Sequence, residues 1–467
     1  MLKGVKKERV KSYILLVILL VVFGGMFAFF GVSTYNDSDQ YIKMHIHREP
    51  LYPLLLWIFR MVFGTQWMNV VGIAQNIFTA VCIWLAAEYI CKKFSLYVWE
   101  ETVIVLLGTL PYFITRYFSA LNIFIPNAIM SEAICIPLFM IFLVHCFEMF
   151  TEKQNVFRKE MVISLVLALL LSLTRSQMMS TILVWMVTLL TKLLREKAAL
   201  RKKAVRMCGV FLVVIFAFSL RLFVVKCYNL AFNGHFINNT YGAVNTLTNI
   251  LYASDREDGE YIKDDEAREF FYSMYDMAES RQATYRYAGE SLEEKVCHIE
   301  QWHDMIKGEI IEDTFYQTYK RTIVDDYIVI NLKADETSME IIKGILPRCL
   351  TRWFANYLRM VCLGLIRSIA VVHPIASWLA LFFYLSSMIM SFTIIKRRRS
   401  SEGAEKAAWL LVLVLLAVFG NVFTVAITIM PLSRYMIYGF SPFYTAYGVL
   451  TIMLARKWKE DKVRVSR

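Results

Sequence analysis

Apolar runs of about the length that crosses a bilayer as a helix alternate along this chain with short polar segments. They lie near residues 13–31, 67–90, 102–120, 131–150, 161–174, 177–192, 207–226, 374–395, 407–430 and 436–455. The fifth and sixth are short and are expected to tilt or re-enter. Leu51 to Phe63 is a further apolar stretch that reads as a juxtamembrane helix. The segment from Leu346 to Val372 sets Arg348, Arg352, Arg359 and Arg367 among Trp353, Phe354, Tyr357 and Leu358. It predicts one or two amphipathic helices on the membrane surface, with an eleventh buried segment as the alternative. Residues 227–373 are rich in Asp and Glu and carry helical apolar spacing in Tyr272–Met277 and Ile310–Tyr316. The expected fold is therefore all-α: a polytopic membrane protein with about ten transmembrane helices. It divides into residues 1–226 with a first outer loop at 32–66, a mostly helical extracytoplasmic region at 227–373, and C-terminal transmembrane helices with a basic cytoplasmic tail at 374–467. No internal repeat of the transporter kind is visible.

Composition makes lipid the relevant solvent. Of 467 residues, 57% are hydrophobic and 19% charged, and the mean hydropathy is +0.48, too apolar for a water-soluble domain of this size. The formal charge of +12 would suggest a nucleic-acid partner in a soluble protein. Here the basic residues sit in short loops and report topology instead, so no nucleic acid is expected. The clusters Lys92–Lys93, Lys153–Lys159, Lys192–Arg206, Lys396–Arg399 and Arg456–Arg467 all fall on one side, together with the amino terminus. By the positive-inside rule both termini are cytoplasmic and the long acidic region lies outside. Lys3, Lys6, Lys7, Arg9 and Lys11 precede the first span as they would in a signal peptide, but no small-x-small site follows, so the span reads as a retained anchor. Cys82, Cys91, Cys135, Cys146 and Cys208 fall in or beside apolar runs and read as small buried hydrophobes, whereas Cys227, Cys297, Cys349 and Cys362 leave room for a disulfide near the large loop.

Polar chemistry concentrates just after the first span. Tyr35-Asn36-Asp37-Ser38-Asp39-Gln40-Tyr41 continues through His45 and His47 to Arg48-Glu49-Pro50-Leu51-Tyr52-Pro53. The juxtamembrane helix that follows would keep these groups near the bilayer. Asp37 reads equally as a turn or helix-cap residue, and Asp39, two positions on, occupies a different face. His45 and His47 could offer two metal ligands, but two histidines do not make a site. Asn36-Asp37-Ser38 has the glycosylation spacing, a triplet common by chance. Arg48, Arg116, Arg175, Arg221 and Arg434 all map near outer ends of spans, the side normally depleted of basic residues. Each alone reads as a snorkelling or helix-pairing residue; together they suggest a site for an anion. Glu132 is either a charge stabilising a helix amino terminus or a substrate contact.

The Asp-Ser-x-x-Tyr element of Asp37, Ser38 and Tyr41, followed by Arg48, Pro50, Tyr52 and Pro53 in Arg-x-Pro-x-Tyr-Pro, resembles the GT-C superfamily of polyprenol-phosphate-sugar glycosyltransferases. The likeness is strongest to the bacterial relatives of protein mannosyltransferases, the family 39 group. Ser131-Glu132 is similar to the Ser-Glu of that group, and Arg434-Tyr435 to its Arg-Tyr element. The acidic region matches nothing in it. The resemblance implies an inverting glycosyltransferase in a bacterial plasma membrane. It would move a sugar from a polyprenyl-phosphate donor to an extracytoplasmic acceptor: a cell-envelope glycan, lipid or protein. In such enzymes the first-loop acid is the general base, here Asp37 with Asp39 the near alternative. Tyr41, Tyr52, Arg48, Arg116, Glu132, Arg175, Arg434 and Tyr435 would bind the donor phosphate or substrate, with Arg434 the first choice for the phosphate. No cofactor is firmly implied; a divalent metal shared by Asp37 and Glu132 stays open. Besides membrane lipids, the partner expected is the lipid-linked donor. The rival readings are a lipid or polysaccharide transporter or flippase, and an envelope polysaccharide polymerase or ligase. The former predicts ionisable groups near the bilayer midplane, whereas stretches such as Val162–Leu171 and Leu410–Phe419 are plainly apolar.

Overall fold

The computed structural model describes residues 2–35, 37–119, 122–152, 154–322, 326–370, 374–396 and 401–465. Asn36, Lys153, Val372, Arg399 and Arg467, each named above, lie outside this set. The chain is an all-α polytopic membrane protein. Among the described residues there is no strand, only an isolated parallel bridge between Ser33 and Ala128. Among the described residues, nine helical stretches are long and apolar enough to cross a membrane. The tenth expected run, 161–174, is the apolar part of a helix that begins at Gln154 and carries Arg158, Lys159 and Glu160 at its start, which shortens its lipid-compatible length.

Two compact units emerge, the first comprising residues 1–228, 366–421 and 436–467, the second 229–365 and 422–435. The first contains α1 (Leu2–Phe30), the one-turn α2 (Ser38–Ile42), α3 (Leu51–Phe63), α4 (Trp67–Phe94), α5 (Val98–Tyr117), α6 (Glu132–Thr151), α7 (Gln154–Thr174), α8 (Ser180–Arg195) and most of α9 (Leu200–Asn233). A helix forms at Leu51–Phe63 as expected; it is α3, and with α4 it makes one apolar stretch from Leu51 to Phe94. It stops where Gly64 takes a left-handed φ of +53°, a conformation that costs glycine little. α7 packs against both α6 and α8. α1 approaches α4 closely at Gly72, where a Cβ would sit 2.5 Å from the Phe27 ring.

Contacts at one end of the first unit gather the basic clusters. Lys93, in the last turn of α4, pairs with Glu148 at 2.8 Å and Glu152 at 2.6 Å near the end of α6. Lys192 in α8 donates to the carbonyls of Met149 and Glu152, satisfying acceptors at the end of α6. Ser12 of α1 donates to Glu101 in the first turn of α5. The helix ends that the charge pattern puts on one side thus meet one another. The polar residues of the loop after α1 lie at the opposite helix ends.

The second unit holds α10 (Gly242–Ala253), α11 (Asp265–Ser280), α12 (Leu292–Met305), a π-helical stretch at Ile306–Glu312, α13 (Asp313–Thr322) and α14 (Tyr327–Ile369), whose last residues group with the first unit. The helices expected around Tyr272–Met277 and Ile310–Tyr316 are present. Phe271, Met274, Ile306, Ile310, Phe315 and Tyr319 are among the buried side chains of its core. The Leu346–Val372 expectation needs correction: its described part is no separate element but the end of α14, which runs unbroken for 43 residues with Pro347 inside it. Gly344 makes room for packing, since a Cβ there would come within 2.9 Å of the Ile262 backbone. Arg352 anchors this helix through Asp255 at 2.9 Å, Asp258 at 2.6 Å and the Ala253 carbonyl at 2.8 Å. All nine cysteines are free.

Candidate active site

The loop after α1 is held against the segment before α6 by backbone pairing. Ser33 N–H donates to the Asn127 carbonyl, and Ile129 N–H to the Ser33 carbonyl. Ser38 Oγ accepts from Tyr35 N–H and donates to the Ile129 carbonyl at 2.8 Å. Buried carboxamides complete the scaffold. Gln75 of α4 donates to the carbonyls of Pro126 and Ala128 and accepts from the Tyr52 hydroxyl at 2.8 Å, while Asn76 donates to Asn127 Oδ1. Tyr41, Tyr52, Leu56, Trp67, Val71 and Ile129 form the apolar floor beneath, with the Tyr41 and Tyr52 rings edge to face at 5.1 Å.

On this floor two sequence elements 90 residues apart join: the Tyr41 hydroxyl lies 2.9 Å from Ser131 Oγ. Burial pushes the Tyr41 hydroxyl above its ordinary pKa, against the opposing pull of Arg48 and Arg175, so it stays a neutral hydrogen-bonding group. Ser131 Oγ accepts from Arg175 at 3.0 Å, and Arg175 pairs with Glu132 at 2.7 Å. Arg175 continues to Gln177 Oε1 at 3.1 Å, and Gln177 to Asn421 at 3.3 Å. At the other end of the chain of contacts, Arg48 pairs with Asp37 at 2.8 Å, donates to Gln40 at 2.9 Å and lies over the Tyr41 ring. No family model, curated protein or solved structure matches this chain. The arrangement itself therefore carries the functional argument.

Of the residues singled out from the sequence, Asp37, Tyr41, Arg48, Tyr52, Glu132 and Arg175 share this network. Asp39 does not: it points outward, 68% exposed, and pairs with Lys43 one turn later on the same face. Arg116 binds Asn122 and lies over the Phe30 ring, contacts that hold the α5–α6 connection. Arg434 and Tyr435 belong to the second unit, where Arg434 donates to the Tyr435 hydroxyl at 2.7 Å and its charge helps hold Asp304 below the usual carboxylate range, after the larger effect of His303. In the same stretch Tyr438 belongs to the first unit, fully buried and within electrostatic range of Arg175 and Glu132. The His45 and His47 rings lie 4.5 Å apart, but no three His, Cys, Asp or Glu side chains cluster as metal ligands among the described residues.

Glu49 was not singled out by sequence reasoning. It is 5% exposed and forms an ion pair with Arg221 of α9, which also donates to the Ser172 carbonyl. A signal existed: an arginine inside an apolar run requires a partner. Arg48, Arg175 and Arg221 are thus each matched by a carboxylate, namely Asp37, Glu132 and Glu49. The expectation of an arginine cluster in excess changes accordingly, because these three form a charge-balanced network.

Proposed function

We propose that the chain is an integral membrane glycosyltransferase of the GT-C type. It transfers a sugar from a polyprenyl-phosphate donor to an extracytoplasmic acceptor, with Asp37 as general base. The observation that carries this reading is the junction of the Asp-Ser-x-x-Tyr and Ser-Glu elements through Tyr41 and Ser131 at 2.9 Å, with Asp37 at the rim of the same network. Asp37 is 16% exposed, so an acceptor hydroxyl can reach its carboxylate while Arg48 fixes the carboxylate's orientation. The acid takes the hydroxyl proton as the oxygen attacks the anomeric carbon, and the bond to the lipid phosphate breaks with inversion. The leaving phosphate gathers negative charge, which a guanidinium group stabilises; Arg48 beside Asp37 is assigned to it. Placement of this network at the helix ends opposite the basic clusters fits an active site outside the cytoplasm.

The test is to incubate purified protein with a panel of polyprenyl-phosphate sugars and measure release of polyprenyl phosphate. Asp37→Asn should lower turnover by about 10²- to 10⁴-fold in a protein that still folds and inserts. Asp39→Asn should change it little. Normal transfer by both variants would remove the reaction's central residue.

A further inference from the structure

The second unit contains a cavity of about 290 Å³ between the segment ahead of α10, the end of the π-helical stretch, α13 and the start of α14. Aromatic rings of Tyr241, Phe315, Tyr316 and Tyr327 line it, together with Glu312 and Asn331. Two polar atoms in its wall lack a hydrogen-bond partner among the described residues: the donor Asn331 Nδ2, on a side chain only 6% exposed, and the acceptor Glu312 Oε1. Lys307 Nζ is 3.6 Å from that oxygen, beyond hydrogen-bond distance. Buried polar atoms are normally satisfied, so this pair points to a ligand.

The wall is also held in costly backbone. Tyr241 has φ of +75°, a left-handed conformation rarely taken by a bulky residue. It is stabilised from outside, since Asp335 accepts from the Ala243 and Val244 N–H groups at 3.0 and 3.1 Å and fixes the first turn of α10. Glu312 closes a seven-residue π-helical stretch, a form that recurs at functional positions. Two independent distortions bracket one cavity.

We propose that this cavity is a saccharide-binding site that takes one neutral pyranose unit of a glycan. An anion would satisfy Asn331 but meet the carboxylates of Glu312 and Asp313. An ammonium group would satisfy Glu312 but leave the Asn331 N–H unmet. A sugar hydroxyl both donates and accepts, and the C–H faces of a pyranose ring suit aromatic walls. The volume lies at the lower end of small-molecule pockets, roughly 300–1,000 Å³, which limits the bound portion to a single ring or little more. The inference concerns the second unit alone and does not depend on chemistry at Asp37.

Full-length protein in micelles, without donor lipid, is tested by saturation-transfer NMR against the methyl glycosides of glucose, galactose, mannose and N-acetylglucosamine. Tetramethylammonium and inorganic phosphate serve as the cationic and anionic probes. At least one glycoside should bind through its ring protons, and Glu312→Gln and Asn331→Leu should each weaken it by about tenfold. Tyr316→Ala, at a half-buried wall position, should weaken it as well and guards against a folding defect at Asn331. The proposal is overturned if no glycoside binds at millimolar concentration, if an ionic probe displaces the sugar, or if Glu312→Gln and Tyr316→Ala leave its affinity unchanged.

Discussion

Arg175→Met removes the guanidinium facing Glu132 while keeping a side chain of similar length in an apolar form. Glu132 is 2% exposed, its Oε2 lies 2.7 Å from Arg175, and its Oε1 has no hydrogen-bond partner among the described residues. Water therefore cannot replace the lost cation, and the value for a surface pair, about 0–1 kcal/mol, does not apply. Breaking one side of a buried pair costs about 3–5 kcal/mol, because the remaining charge is stranded. Glu132→Gln should cost less, since Arg175 keeps acceptors in Ser131 Oγ and Gln177 Oε1. The double variant Glu132→Gln/Arg175→Met removes both charges and should recover at least about 2 kcal/mol of the Arg175→Met loss. Reversible unfolding in mixed micelles, followed by tryptophan fluorescence, measures all four states of the cycle. Additive losses, or a wild-type midpoint for Arg175→Met, would show that the pair is not a mutually compensated buried unit. Sugar transfer by the double variant then separates the two roles of Arg175: recovered stability without recovered turnover assigns it to the reaction as well as the fold.

Three further outcomes are expected. Gly72→Val should destabilise the protein by about 1–3 kcal/mol in the same assay, because its side chain overlaps Phe27 and Val32 across the α1–α4 contact. Burial, and then the charges of Arg48 and Lys43, hold the His45 pKa below its ordinary value. Its unfolded form takes up a proton first, so stability should fall as pH drops from about 6.5 toward the folded pKa, and His45→Gln should flatten that slope in unfolding midpoints measured across pH. Reporter fusions after Lys93 and Lys203 should read as cytoplasmic and those near Gly234 and Asp335 as external; a reversed reading for either loop would put Asp37 on the wrong side for the proposed donor.

Helix placement is legible in this sequence because lipid forbids unsatisfied backbone, so each apolar run has one available structure. α3 is readable for the same reason. α14 is not, because arginines set among aromatics from Leu346 onward read as separate surface helices, whereas Arg352 is committed to Asp255 and Asp258 within one continuous helix. Within the site, Asp37 and Asp39 are distinguishable in principle: Lys43 stands one helical turn after Asp39 and marks an outward face. Gln75 and Asn76 also carry a readable signal, two adjacent carboxamides inside an otherwise apolar span, where polar groups serve as contacts between helices.

Ion-pair partners are a different matter, because they depend on which helices become neighbours. Arg221 finds Glu49 across 172 residues of sequence, and hydropathy holds no information about that choice. The consequence reaches the mechanism. Counting arginines at the outer ends of spans suggests a surplus of positive charge waiting for a phosphate, yet Arg48, Arg175 and Arg221 each face a carboxylate. A balanced network does not attract an anion through net charge, so the proposed donor would have to be held there by the direction of guanidinium N–H groups. Arg175 and Arg221 are 10% and 8% exposed and committed within the helix bundle, whereas Arg48 is 20% exposed and shares the rim with Asp37. Under the proposed function, the arginine of the first unit best able to meet a departing phosphate is the one that also orients Asp37, which would couple proton removal to leaving-group stabilisation through a single side chain.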